Sequence, residues 1–246
     1  MSNVLYHLKD SQWKKIEFFF SARKNRGRPP LNPRVVLNGI LWILRSGARW
    51  RDLPTCFGNW NSVYHKFRKW ISVGLFEKIL RTLNFITNKY LLIEIDSTFC
   101  KVHKHGLGAR KRDGRQAIGK SRGGYNTKIH ALVNEYFQLI GVDDSKSALE
   151  LLNGIELAGK KVLADKAYSS EKIRAFVQEQ GAGFCVPDKS NTVIKHDFDA
   201  ELYKQRNIVE RFFQRIKEFR HISSRFDKLD ICFLNFIFLA AFIRYL

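Results

Sequence analysis

The chain has 246 residues, 45% of them hydrophobic, which is enough to bury a core and excludes a wholly disordered protein. It carries 43 Lys and Arg against 23 Asp and Glu, a formal net charge of +20. That excess is far above the needs of a metabolic enzyme and points to a polyanionic partner, nucleic acid before an anionic membrane. The charge is uneven: +13 over residues 1–90, +6 over 91–134 and +1 over 135–246. An anion-binding surface is therefore expected in the first half and just beyond it. Four isolated cysteines, Cys56, Cys100, Cys185 and Cys232, have no zinc spacing and fit a reducing, cytoplasmic compartment. Residues 1–10 lack the apolar stretch of a signal peptide. The apolar run 231–243, interrupted by Asn235, falls short of the ~20 residues that span a bilayer and is expected to be a buried C-terminal helix.

In chain order, Asp10 is the expected cap of a helix over residues 11–20, with Trp13, Ile16 and Phe20 on one side. The basic, Pro-containing stretch SARKNRGRPP (21–30) breaks it. That stretch, with Arg26 and Arg28, reads either as a solvated linker or as an arm that follows a phosphate backbone. Asn32 and Pro33 open a helix that Gly47 ends. Residues 52–57 form a turn. Asn59 or Asn61 caps a third helix to about residue 72, carrying Lys66, Arg68 and Lys69 beside Val63, Phe67 and Trp70. Gly74 precedes a fourth helix over 75–88. Helices joined by short glycine turns, the third of them basic, describe a small all-α, helix-turn-helix-like DNA-binding domain over residues 1–90. Trp42, Trp50, Trp60 and Trp70 are expected in its core rather than stacked on bases.

From residue 91 the pattern changes. LLIEIDSTF (91–99), 127–133, 136–142, 162–165 and 184–186 read as strands. Residues 147–157, 169–180, 199–220 and 229–246 read as helices. The expected fold over 91–246 is an α/β mixed sheet covered by helices.

Three carboxylates stand out. Asp96 ends the apolar run 91–95, and Asp165 ends Val162-Leu163-Ala164. Each alone could cap a turn. Two strands of one sheet that both deliver an Asp at their ends lie ~4.8 Å apart and can share a divalent cation. Oxygen-only ligands favour Mg²⁺ or Mn²⁺ over zinc. Glu210 lies in YKQRNIVERFFQRIK (203–217), within the helix expected over 199–220. At ~100° per residue, Tyr203, Arg206, Glu210 and Lys217 share a stripe of about 60° on that helix. Read alone, the stripe is a solvated charged face. His103, His105 and His130 could ligate metal, but the many Lys and Arg over 101–122, Arg122 among them, favour a DNA-facing loop. The glycines of that loop have no nucleotide-binding spacing.

The motif Y-x2-R-x3-E-x6-K at 203–217 resembles the signature of the DDE transposases of bacterial insertion sequences, in the insertion-sequence-five group. RSGARWRDLPTCFGNWNSVYHKFRKW (45–70) is similar to the N-terminal DNA-binding region of that group. IDSTFCKVHKHGLGARK (95–111), IGKSRGGYNTKIHALV (118–133), VLADKAYSS (162–170) and NIVERFFQRIKEFRHISSRFDKL (207–229) resemble its other conserved stretches. One departure is LIGVDD (139–144), where the group has a longer strand running into a Pro-Gly turn. A short third strand at the sheet edge, beside 127–133, is expected here.

The resemblance implies an RNase H-like catalytic core over 91–246 that cuts and rejoins double-stranded DNA at the inverted repeats of its own element. It implies Asp96, Asp165 and Glu210 as metal-holding catalytic residues for two Mg²⁺ or Mn²⁺ ions. Tyr203, Arg206 and Lys217 are implied as phosphate contacts, and a homodimer on DNA as the working form. Two other readings stay open: an RNase H-like structure-specific nuclease, and a decayed copy that only binds DNA.

Overall fold

The computed structural model describes residues 7–20, 31–86, 90–110, 113–144, 148–192 and 195–246. The basic stretch with Arg26 and Arg28, and the last residues of the expected 75–88 helix, lie outside them.

The N-terminal part is helical. α1 spans Asp10–Lys14 and is followed by a 3-10 turn, Glu17–Phe20. Asp10 does not cap it: Lys9 holds that place, and Asp10 instead meets Arg34 at 2.6 Å. α2 runs Pro33–Ser46, capped by the Asn32 side chain on the Arg34 N–H, and ends at Gly47. Gly47 adopts φ +65°, a left-handed conformation that a side chain would strain. α3 spans Trp60–Ser72 with Asn59 as its cap, and α4 spans Leu75–Ile86.

The sheet follows. β1 is Leu92–Val102, β2 Gly119–Ser121, β3 Gly124–Asn134 and β4 Leu139–Asp143. After α5, Ala148–Leu152, come β5, Lys161–Ala164, α6, Glu171–Glu179, and β6, Gly183–Cys185. α7, Ala200–Tyr203, α8, Ile208–Lys217, α9, Arg220–Ser223, the two-residue β7, Ser224–Arg225, and α10, Asp230–Ile243, close the chain. Among the described residues the sheet has seven strands. Its main path is β2-β3-β1-β5-β6; β4 pairs with β3, and β7 with β1. β1 is antiparallel to β3 and parallel to β5, so the sheet is mixed as expected. β4 is a short strand at the β3 edge, also as the sequence predicts.

Alternation along β1 separates two faces. Ile93 and Ile95 join the apolar cluster that α5 and α6 cover, with Leu132, Val162, Ala164 and Val177. Leu92 and Cys100 join the larger cluster on the other face, with α8, α10 and the N-terminal helices. α10 is apolar on every side, and residues such as Phe236, Leu239 and Ala240 are fully buried. Asn235 is satisfied inside the helix by the Ile231 carbonyl at 2.8 Å. Among the described residues no helix is long and apolar enough to cross a membrane.

Two expectations fail. β1 does not end at Asp96 but continues to Val102, because β3 pairs with it as far as Lys101↔Asn126. Beyond Asp96 one face is uncovered, so Phe99 is exposed while Cys100 is buried, and the apolar run stops before the strand does. The helix expected over 199–220 is three short helices. α7 ends at Tyr203, residues 204–207 form a turn, and α8 starts anew at Ile208. The single-helix stripe of Tyr203, Arg206, Glu210 and Lys217 therefore does not exist as such: Arg206 lies in the turn.

The helical layer shares its core with α10. Phe67 meets Phe236 at 4.7 Å with its ring tilted by 35°, and Phe76 stacks on Phe242 at 6.2 Å. Phe236 also meets His221 at 4.3 Å. Truncating a fully buried aromatic at this junction, Phe236→Ala, is expected to cost about 3–5 kcal/mol. Calorimetric melting should show one cooperative transition, lowered in the variant. Two separate transitions in the wild-type chain would mean that the helical layer folds independently of α10.

Candidate active site

The centre of the site is set by strand register. Ile95 of β1 pairs with Ala164 of β5, the last pair of a parallel ladder. Asp96 and Asp165 are the next residue on each side, so the two carboxylates lie on neighbouring backbones about 4.8 Å apart. Asp165 is still extended, at φ −68° and ψ 156°, before a 3-10 turn over Lys166–Tyr168. Asp96 is half-buried, and one of its oxygens accepts the Ser97 N–H at 2.7 Å.

α8 lies across the face of β1 that carries Glu94, Asp96 and Thr98. Val209 donates its N–H to Glu94 at 2.9 Å. At the other end Lys217 Nζ donates to the Thr98 hydroxyl at 2.5 Å and to the Phe99 carbonyl at 3.1 Å. Glu210 is the residue after Val209, close enough to raise the proton affinity of Asp96. The pKa of Asp96 stands above its ordinary value, first because burial penalises the charge, then through Glu210 and Asp165; the Ser97 N–H and Arg206 oppose the rise. Arg206 approaches Glu210 at 3.3 Å and lies over the Tyr203 ring at 5.7 Å. Burial also raises the pKa of Tyr203, with Asp165 and Asp96 adding to it. Tyr203, Arg206 and Glu210 thus lie close to Asp96 despite the broken helix, while Lys217 sits further along β1 at Thr98.

Sequence reasoning missed two neighbours, Glu94 and Tyr168. Glu94 is fully buried, and burial pushes it up to about 7 although the Val209 and Ile208 N–H groups pull it down. Tyr168, three residues past Asp165, bonds His130 at 3.1 Å and also engages Ser97. Burial drives Tyr168 up to about 12. The period-2 pattern carried the signal for Glu94: a charge on the apolar face of LLIEI needs a partner, which only the fold identifies.

The three carboxylates are an all-oxygen donor set that suits a hard divalent ion. Among the described residues no three His, Cys, Asp or Glu groups already close around one point. Glu210 is instead engaged by Arg206 at 3.3 Å.

The basic residues divide. Lys69 and Arg122 are exposed. Lys66 lies over the Trp70 ring at 5.8 Å. Arg68 turns inward and bonds Cys232 Sγ at 3.3 Å. Trp42, Trp50 and Trp60 pack against the main core, and Trp70 is buried. Exposed Phe99 carries Lys128 over its ring at 5.9 Å, a basic and aromatic pair on the open end of the sheet. All four cysteines are free thiols, three of them buried.

A mixed sheet thus sets Asp96, within β1, beside Asp165, just past the end of β5, with Glu210 on the facing α8. Two family models match the chain. One, described as "Putative transposase of IS4/5 family", covers residues 8–80; the other, described as "Transposase DDE domain", covers residues 87–244. The second takes in well over half of the sequence, and the chain belongs to the DDE transposases, of IS4/5 type. "Uncharacterized protein y4sN" of Sinorhizobium fredii is 37% identical over 108 residues, 44% of this chain and 86% of that protein. "Putative transposase for insertion sequence element IS6501" of Brucella ovis is 32% identical over 124 residues, 46% of this chain and 93% of that protein. An uncharacterized protein of insertion element IS402 from Burkholderia cepacia is 40% identical over 58 residues, 23% of this chain and 40% of that protein. No solved structure matches the chain.

The raised pKa of Asp96 has a consequence for stability. The folded state holds that proton longer than the unfolded chain does. The Asp96 contribution is thus fully present below the ordinary carboxylate range and is lost as pH rises through the raised value. With a chelator present, Asp96→Asn should gain stability relative to wild type as pH climbs from about 3 to about 8. Urea melts across that range test this; parallel curves for the two proteins would mean that Asp96 titrates as an ordinary exposed carboxyl.

Proposed function

We propose that the protein is an active transposase, one that binds the terminal inverted repeats of its element as a homodimer and catalyses metal-dependent strand cleavage and strand transfer. The observation that carries this reading is the β1–β5 register, which sets Asp96 beside Asp165 with Glu210 across from them on α8. On this reading residues 91–246 are an RNase H-like catalytic domain, and residues 1–90 a DNA-binding layer seated on α10.

Asp96, Asp165 and Glu210 would together hold a pair of Mg²⁺ or Mn²⁺ ions. When bound, such a pair activates the attacking oxygen and stabilises the leaving one in an in-line displacement. The attacking groups are water and then a DNA 3′-hydroxyl, so no protein side chain becomes covalently attached. Arg206 leaves Glu210 to grip a phosphate oxygen with its planar fork, while Lys217 offers a point charge beside Thr98. Tyr203 supports Arg206 from below. Lys66, Arg68, Lys69 and Arg122, together with Arg26 and Arg28, supply the wider field that draws the duplex in. Among them the inward-turned Arg68 contributes least until it releases Cys232.

Asp96→Ala, Asp165→Ala and Glu210→Ala are each expected to abolish Mn²⁺-dependent 3′-end cleavage of a duplex bearing an element end, with DNA affinity largely kept. Cleavage that ignores the inverted repeat would favour a structure-specific nuclease instead. Affinity should fall steeply with salt, since each neutralised phosphate releases counterions.

Arg206→Ala should cut cleavage on the order of 100-fold, the cost of displacing a reacting group by about 1 Å, with little change in affinity. Exposed Arg211, on α8 next to Glu210, is the internal control and should be mild. Equal loss from Arg206→Ala and Arg211→Ala in folded protein would withdraw the phosphate clamp in favour of a diffuse basic surface.

A further inference from the structure

Glu94 is the only fully buried carboxylate among the described buried residues, and nothing in the reaction outlined above uses it. Its Oε2 accepts the Val209 N–H at 2.9 Å, across 115 positions of sequence. Its Oε1 is buried with no hydrogen-bond partner among the described residues. The N-cap of α8, Asn207, supplies no side-chain cap of its own. A helix start needs acceptors for its first N–H groups, and here a strand provides one.

We propose that Glu94 is a positioning residue for strand cleavage: from β1 it caps α8 and so fixes where Glu210 stands relative to Asp96. The inference rests on the catalytic reading given above. Glu94, Asp96 and Thr98 alternate onto one face of β1. Val209 and Lys217 dock on the first and last of these. The eight residues from Val209 to Lys217 rise about 12 Å, and the four from Glu94 to Thr98 rise about 13 Å. Helix and strand therefore run side by side in step, pinned at both ends, with Asp96 between the pins. Glu210, one residue past the first pin, cannot slide along the strand while both contacts hold. Lys217 is a flexible point contact. The Glu94 bond to backbone leaves no rotamer freedom on the helix side, so it carries most of the alignment.

The role depends on reach, not on charge, and two substitutions separate these. Glu94→Gln keeps an acceptor oxygen at the same distance and removes the charge. Glu94→Asp keeps the charge and shortens the reach by one methylene. Single-turnover cleavage of an end-bearing duplex with Mn²⁺, DNA affinity by anisotropy and thermal melting would be measured for both, with Asp96→Asn as control. Glu94→Gln should keep most of the cleavage rate. Glu94→Asp should lose on the order of 100-fold, the penalty of misplacing a reacting group by about 1 Å, with DNA affinity unchanged. Amide exchange in Glu94→Asp should quicken at Val209 and Glu210 while the rest of α8 stays protected, a local signature that general destabilisation does not give.

Loss of cleavage in folded Glu94→Gln, or wild-type rates in Glu94→Asp, overturns the positioning role. Should Glu94→Asp melt below the assay temperature, Glu94→Gln decides alone, retained cleavage supporting the role and lost cleavage ending it. Wild-type protein that does not cleave, or Asp96→Asn protein that does, overturns the catalytic reading itself.

Discussion

The hydrogen bond that crosses from the start of α8 to Glu94 is the contact around which the rest of the site is arranged. It meets α8 where the helix opens, directly after the turn over residues 204–207 in which Arg206 folds over Tyr203 toward Glu210. A buried carboxylate is costly, and partial satisfaction by two backbone N–H groups only softens that cost. The fold accepts a local penalty on the same strand face that carries Asp96. Strain and unsatisfied polarity of this kind concentrate where geometry matters more than stability.

Much of this was legible in the sequence because local rules govern it. The Asn-Pro start and glycine end of α2 and an Asn cap for α3 follow from capping chemistry, and the short edge strand β4 from the departure of LIGVDD from the family pattern. Asp96 and Asp165 stood out because each follows an apolar run that a sheet must bury. What the sequence hid was decided by partners far along the chain. β1 outlasts its apolar run because β3 pairs with it to Lys101, a contact that hydropathy does not encode. The α7–α8 break was invisible because 3.6-residue periodicity continues through it: the helix angles of Tyr203, Arg206, Glu210 and Lys217 looked right on a helix that is not there. The turn nevertheless brings Arg206 to Glu210 and Tyr203, whereas Lys217 meets the strand further along, at Thr98.

The distribution of charge gives the architecture its electrostatic sense. An acidic cluster inside a chain of +20 repels no DNA at a distance, because the basic residues dominate the far field and the acids act only within a few ångströms. Residues 1–90 carry +13, and their described helices form a layer whose apolar side is continuous with α10. α10 packs in turn against α4, α3, α9, α8 and β4. On the proposed reading, a duplex held by that layer would be referenced to the sheet through buried aromatic contacts rather than through a loose tether. Phe67 on Phe236 and Phe76 on Phe242 are ring contacts with little rotational freedom once buried. In a molecule of two bodies joined by a linker, the distance from recognised base pairs to scissile phosphate would be set by linker entropy. Here one continuous core joins the basic layer to β1, and the same β1 aligns α8 through Glu94 and Thr98. On that reading, the path from the basic layer to the three carboxylates consists of packed side chains and backbone hydrogen bonds, which is what a reaction demanding sub-ångström placement of a phosphate requires.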